Sequence, residues 1–372
     1  GPLAPPTRET QRLAPIELPA RIRKQARSRP FAAGAQTLRA RVLVLAADGS
    51  DGTLPAIRQI LDDLGTPYDV YVARQTPNGL TSDRLAQGAD ANYQAVILTT
   101  SGLGYLGPDG WTSALSPDEW TTLWEFESTF QVRQATWYTY PEPTYGFDWP
   151  SSIVDTSQPG VSVAAGFTAT GAGLFGYVNT DNPLTLRQAT VYLSRPSATP
   201  PPDVSSTEVE LADASGNAVA LLTRYTDGRE NLALTFDSNQ YLVHSLLLAY
   251  GVVNWVTRGL FIGERHEVIA AQVDDVLIDD DVWSSPSSFR IDRPDVDALV
   301  SWQGMLHQQL STPDLLLSLA FNGEGAGSDP LTRALVRARD SFDWISHTFT
   351  HLDLDINDDG TPVTYAQVSA EL

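Results

Sequence analysis

Arg41-Val42-Leu43-Val44-Leu45-Ala46-Ala47-Asp48-Gly49-Ser50-Asp51-Gly52 is the stretch that decides the fold. Arg41 to Ala47 reads as an apolar strand without alternation, the pattern of a parallel strand covered on both faces. The Asp- and Gly-rich turn then gives way to an amphipathic helix, Leu54 to Leu64, closed by Gly65. A strand, Tyr68 to Ala73, and another buried strand, Ala95 to Thr100, complete a β-α-β order with parallel pairing and right-handed crossover. Ser116-Pro117-Asp118-Glu119 is a capping box with Pro at the first helical position, starting a helix through about Phe130. The expectation is a flavodoxin-like open sheet formed by residues 38–150 together with 217–262. The turn after the first strand lacks G-x-G-x-x-G and the P-loop Lys, and its two Asp would repel an anion. It reads as a βα turn needing positive φ, not as a nucleotide cradle.

Around that sheet the pattern changes. Residues 1–37, rich in Pro, Ala and Arg, read as a tail or extended strap. From Ser151 short alternating strands appear, Val161 to Ala165, Ala189 to Leu193 and Glu208 to Leu211. They predict a β-sandwich-like insertion over 151–216, a candidate carbohydrate-binding module. Val219 to Tyr225, the turn Thr226-Asp227-Gly228 and Asn231 to Phe236 form a hairpin. The apolar helix Gln240 to Arg258 follows, and both are expected to return to the open sheet. Trp137, Tyr138, Tyr140, Tyr145, Phe147 and Trp149 cluster among prolines. Aromatic faces stack on the C–H faces of sugars, so Trp137, Tyr138, Tyr140 and Trp149 are candidate glycan-binding residues; the competing reading is an interdomain core.

Composition narrows the function. With 42% hydrophobic and 19% charged residues the chain is globular and long enough for several domains. A net charge of −21 argues against nucleic-acid binding and would attract a cationic polymer. The longest apolar candidate, Leu242 to Val256, is interrupted by His244, Ser245, Gly251 and Asn254, so no membrane span is expected. There is no Cys, which excludes disulfides and thiolate metal sites. Gly1-Pro2 reads as a cleavage remnant from which any targeting segment has been cut away, and zero Cys is compatible with a secreted, extracellular setting.

The chemistry lies in the last third. His347-Thr348-Phe349-Thr350-His351 sets two imidazoles four residues apart, near enough for one metal on a helix or a loop. Upstream, Asp274-Asp275 ends the apolar run Val268 to Val273, read as a buried strand. Adjacent carboxylates point in different directions, so one can bind the metal while the other faces the substrate. Two His and one Asp leave an open position, the arrangement a catalytic zinc uses to hold and acidify water. Asp355 to Gly360 starts like a calcium loop, but Ala366 occupies the position where Glu is required, so an Asx-rich turn is expected. Asp279-Asp280-Asp281 reads as a solvated loop.

Asp274-Asp275 after a strand, followed by Ser346-His347-Thr348-Phe349-Thr350-His351, resembles the first two motifs of the NodB-homology polysaccharide deacetylases. Gln272-Val273 departs from the usual Thr-Phe before the pair. The phrase Gln272 to Asp280 and the long N-terminal region are closer to the galactosaminogalactan deacetylases. The resemblance implies Asp274 as catalytic base, with Asp275, His347 and His351 as ligands of Zn2+ or another divalent metal. It implies de-N-acetylation of an extracellular amino-sugar polysaccharide containing N-acetylgalactosamine or N-acetylglucosamine, in a biofilm-type setting. It also implies that residues 263–372 are the beginning of a truncated NodB-type (β/α) barrel. The family's base-orienting Arg and its acid His are then expected outside this sequence, and the strand edges of the partial barrel uncovered. The alternative functions are a glycan-binding or scaffold protein with an inactive deacetylase region, and a hydrolase of ester-linked acetyl groups.

Overall fold

The computed structural model describes residues 12–18, 36–261, 270–310, 315–357 and 359–372. The chain forms two compact units, residues 1–265 and 266–372. Most of the expected N-terminal strap, 1–11 and 19–35, lies outside the described residues, as do Val268 and Ile269 of the apolar run before Asp274-Asp275.

The first unit is a mixed α/β fold around one nine-stranded sheet. Its elements are β1 (Val42–Ala46), α1 (Leu54–Asp63), β2 (Tyr68–Val72), β3 (Ala95–Leu98), the hairpin β4 (Gly104–Gly107) and β5 (Gly110–Ser113), α2 (Pro117–Phe130) and β6 (Arg133–Thr136). There follow β7 (Ser152–Asp155), β8 (Val163–Phe167), β9 (Leu184–Leu186), β10 (Thr190–Leu193), β11 (Val204–Asp213), β12 (Ala218–Tyr225), β13 (Glu230–Leu234) and α3 (Val243–Val256). The order across the sheet is β9-β8-β11-β12-β13-β6-β3-β1-β2. The strands β2, β1, β3, β6 and β13 are parallel to one another, in the order 2-1-3-4-5 of doubly wound sheets.

Both faces are covered, which explains the unbroken apolar strands. Val42, Val44, Ala46 and Ile97 pack with α1 and α3, whereas Leu43, Leu45, Val96 and Leu98 pack on the other face with Trp120, Leu123 and Phe126 of α2. Ser116 and Glu119 form the expected capping box, and Gly49 takes φ of 86° in the turn after β1.

The β-rich stretch is not a sandwich. β8, β9 and β11 extend the same sheet in antiparallel fashion through β12, and only β7 and β10 pair apart from it. The physical reason is an open edge: the hairpin β12–β13 joins the parallel strands through β13, which leaves β12 to template β11.

In the second unit β14 (Gln272–Val273), α4 (Arg293–Leu310), β15 (Ser318–Phe321), α5 (Pro330–Arg337) and β16 (Asp343–Ser346) form a parallel β-α-β-α-β run in the order β14-β15-β16. Helix α6 (Tyr365–Glu371) follows. Val276, Leu277, Val296, Leu319, Leu335 and Phe342 make its core. Among the described residues these three strands do not close into a barrel, and all four residues of β16 are exposed. β14 is shorter and less buried than the apolar run predicts: Gln272 is exposed and Val273 half-buried.

Candidate metal centre

The carboxyl ends of the three parallel strands gather the predicted ligands. Asp275 lies two residues beyond β14, and His347 directly follows β16. Nε2 of His347 is 3.7 Å from Asp275 Oδ1, and Nε2 of His351 is 3.5 Å from the same oxygen. The imidazole centroids are 5.0 Å apart, and one ligand atom from each of the three residues lies within 4.8 Å of the others. Asp275 Oδ1 is buried and accepts no hydrogen bond. A buried carboxylate oxygen costs free energy unless something cationic or donating meets it, so this orphaned atom between two imidazoles fits a cation. The donor set, two nitrogens and an oxygen, fits zinc.

The backbone is bent to bring these groups together. Asp275, Thr348 and His351 have φ of 57°, 66° and 69°, left-handed values that each cost side-chain-bearing residues about 1–3 kcal/mol. The histidines are therefore on a tight loop, one of the two arrangements left open by their spacing. His347 is fixed at both backbone polar groups: its N–H donates to Phe321 O at 2.9 Å, and its carbonyl accepts from Asn322 Nδ2 at 2.8 Å. Gly323 N–H donates to Thr348 O and Glu324 N–H to Phe349 O. Thr350, which precedes His351 in the loop, donates its N–H and its hydroxyl to the two oxygens of Glu371, each at 2.7 Å. These bonds, the backbone one foremost, hold the Glu371 carboxyl below its ordinary range. Asn322 and Glu371 were not singled out from sequence. The signal for Glu371 was the capping box of Thr364 and Gln367 that starts α6.

Asp274 is exposed and accepts a short hydrogen bond from Gln272 Nε2. Gln272, which departs from the Thr-Phe pattern, is thus the hydrogen-bond partner of the candidate base.

In the first unit the expected aromatic platform divides. Trp137 and Tyr138 are 1% and 0% exposed, and the Trp137 indole donates to Ser238 Oγ at 2.8 Å. Neither ring offers a face to a sugar, so for these two the glycan-binding expectation is corrected: apolar packing under the sheet won. Tyr140 is half-buried, its ring 5.1 Å from Tyr192 and 6.4 Å from Trp149, which is 56% exposed.

A family model described as Agd3 CBM87 matches residues 38–255. The crystal structure of Agd3, a novel carbohydrate deacetylase, is similar to this chain with a TM-score of 0.73 and 21% identity, covering 91% of this chain; the chain spans 58% of the length of that protein. At that identity the likeness is one of fold. SMU.1228c and a glutamine amidotransferase from Thermotoga maritima overlap only weakly, with TM-scores of 0.31 and 0.28, identities of 10% and 12%, 53% of this chain covered in each case, and 76% and 74% of theirs. No curated protein matches.

Proposed function

This chain belongs to the Agd3 CBM87 family, and from that premise we propose that it is a metal-dependent de-N-acetylase of an extracellular amino-sugar polysaccharide. In this reading the first unit is flavodoxin-like and binds the glycan, and the second is the beginning of a NodB-type barrel that carries the chemistry. The observation that carries the proposal is the convergence of His347 and His351 on the orphaned Asp275 oxygen.

Asp275, His347 and His351 would hold the metal, with zinc favoured by two imidazoles and one carboxylate. When bound, such an ion supplies polarisation of the acetamide carbonyl and acidification of water. The chain's residues do the rest. Asp274, exposed next to the ligand Asp275, takes the proton of the attacking water as general base. Gln272 donates to Asp274 Oδ1, which directs the remaining lone pairs of the carboxylate outward. Glu371 and Asn322 hold the His347–His351 loop in one conformation, so that ordering it does not have to accompany binding. Of the aromatic cluster between Trp137 and Trp149, the exposed Trp149 and half-buried Tyr140 are left for sugar contact.

Amine release from N-acetylgalactosamine and N-acetylglucosamine oligomers, compared between the parent chain and Asp274→Asn, tests this. Release by the parent and its loss in the variant, with metal retained, supports the base; equal release by both removes Asp274 from the mechanism. Acetate release from ester-acetylated glycans separates an esterase. A glycan-binding protein with an inactive second unit is the other reading, favoured because the family match lies within the first unit. It predicts glycan retention without amine release.

A further inference from the structure

A cavity of about 560 Å³ opens on the first unit beside the start of α2, a volume within the range of about 300–1,000 Å³ typical of small-molecule sites. Trp111 of the β4–β5 hairpin, Glu17, Asn78 and Ser116 are among its lining residues. We propose that this cavity binds the unsubstituted, cationic hexosamine residues of the glycan, with Trp111 against the pyranose face and Glu17 against the ammonium group. The proposal rests on the polysaccharide reading above and adds to it a site and a charge preference.

Three features carry it. The first is a built wall. Ile16 is buried in a notch that only glycine leaves open: a Cβ on Gly102 would lie 2.7 Å from Ile16 Cβ, and one on Gly104 would lie 2.8 Å from Ile16 Cδ1. Ile16 and the bonds between Leu13 and the Tyr192 hydroxyl seat the segment 12–18, so Glu17 is presented from an anchored chain. The second is Trp111, paired with Leu106 across the hairpin and 41% exposed, an aromatic face available to the C–H face of a sugar.

The third is charge. Among the described residues no lysine or arginine lines the cavity, and two carboxylates do. Glu119 is already occupied, accepting from Ser116 N–H and hydroxyl through Oε2 and from Tyr71 hydroxyl and Leu80 N–H through Oε1. Glu17 is exposed, so it is the carboxylate open to an incoming cation. The exposed carboxylate can pair with an ammonium group, whereas an acetamido sugar offers it only a neutral N–H donor, which makes the weaker bond. The cavity therefore favours the deacetylated product over the substrate, a means of keeping a processed strand attached.

Calorimetric titration of the whole chain with a galactosamine tetramer and with its fully N-acetylated counterpart, both in buffer containing a chelator, tests this. The unsubstituted tetramer is expected to bind at least about tenfold tighter. Trp111→Ala should weaken it at least about tenfold, Trp111→Phe should largely restore it, and Glu17→Gln should abolish the preference between tetramers. Equal affinity for the two tetramers, or an unchanged affinity in both Trp111→Ala and Glu17→Gln, overturns the proposal. So does binding that is lost in Asp275→Ala but kept in Trp111→Ala, because the ligand then sits at the metal centre. Binding that follows these expectations in a chain that releases no amine keeps the cavity assignment and sinks the deacetylase reading instead.

Discussion

Gly325→Ala puts the packing behind the metal centre to a quantitative test. Gly325 lies against the turn that follows Asp275: a Cβ built on it would sit 2.5 Å from Leu277 O and 2.7 Å from Leu277 Cβ. Ordinary contact begins at 3.4 Å, so the two turns must separate by about 0.9 Å, the difference between 3.4 and 2.5. Little can yield. The clash is with backbone, Leu277 is buried, and its carbonyl also accepts from Arg290 Nε at 2.7 Å, while Arg290 pairs with Asp329 at 3.1 Å. Overpacking of this kind costs about 1–3 kcal/mol of stability. Because Leu277 is only two residues from Asp275, the displacement reaches a ligand, and disturbing groups that support metal ligands typically lowers affinity by about 10–100-fold. Gly327→Ala is the control, since its Cβ would meet nothing closer than 3.8 Å; it should stay within about 0.5 kcal/mol of the parent. The assay is competition for Zn2+ against a chromophoric chelator, with urea unfolding in parallel. Parent-like affinity and stability in Gly325→Ala would refute the argument that this turn contact positions Asp275.

Two further expectations concern single side chains. Glu371→Gln keeps the shape of the clamp on Thr350 but loses its charge, so metal affinity should fall, and less than in Glu371→Ala; an unchanged affinity in both removes the clamp from the site. Because the folded Glu371 carboxyl is held low, its contribution is present above the ordinary glutamate range and is lost as pH falls through its folded pKa. In the first unit His244 is buried against Phe236, and desolvation pushes its pKa down to about 4 from 6.5. The unfolded chain then binds the proton first as pH drops, so stability declines from about pH 6.5 towards pH 4, by about 2 kcal/mol at pH 5. Urea unfolding at pH 7 and pH 5 should show that loss in the parent and not in His244→Gln; parallel losses would assign the acid sensitivity elsewhere.

Local signals made much of the fold legible. The capping box starting α2, the apolar strands β1 and β3, the β12–β13 hairpin and the long helix α3 all stand where residue pattern puts them. What pattern hid depends on partners far along the chain. β6 reads as polar, Arg133-Gln134-Ala135-Thr136, yet it is central because Gln134 Nε2 and the Thr136 hydroxyl donate to Asn231 Oδ1 at 2.9 and 2.8 Å. Helix α4 hides a core contact in the same way, because its buried Gln303 looks like a surface residue; its side chain receives Leu317 N–H and donates to Ser341 O, each at 2.8 Å. The sandwich expectation failed for the same reason, since short alternating strands do not say which edge they join. At the site, residue types and order sufficed to bring Asp275, His347 and His351 together. The left-handed backbone that aims them is a tertiary fact without a local signature; the capping box of α6 marks the helix that carries Glu371 but not its contact with Thr350.

The central claim is that these three residues hold a metal for hydrolysis, and zinc stoichiometry by elemental analysis tests it most directly. The chain purified with zinc should carry one metal, and the Asp275→Ala, His351→Ala double variant none. No metal in the parent, or an equal content in both proteins, would contradict the account.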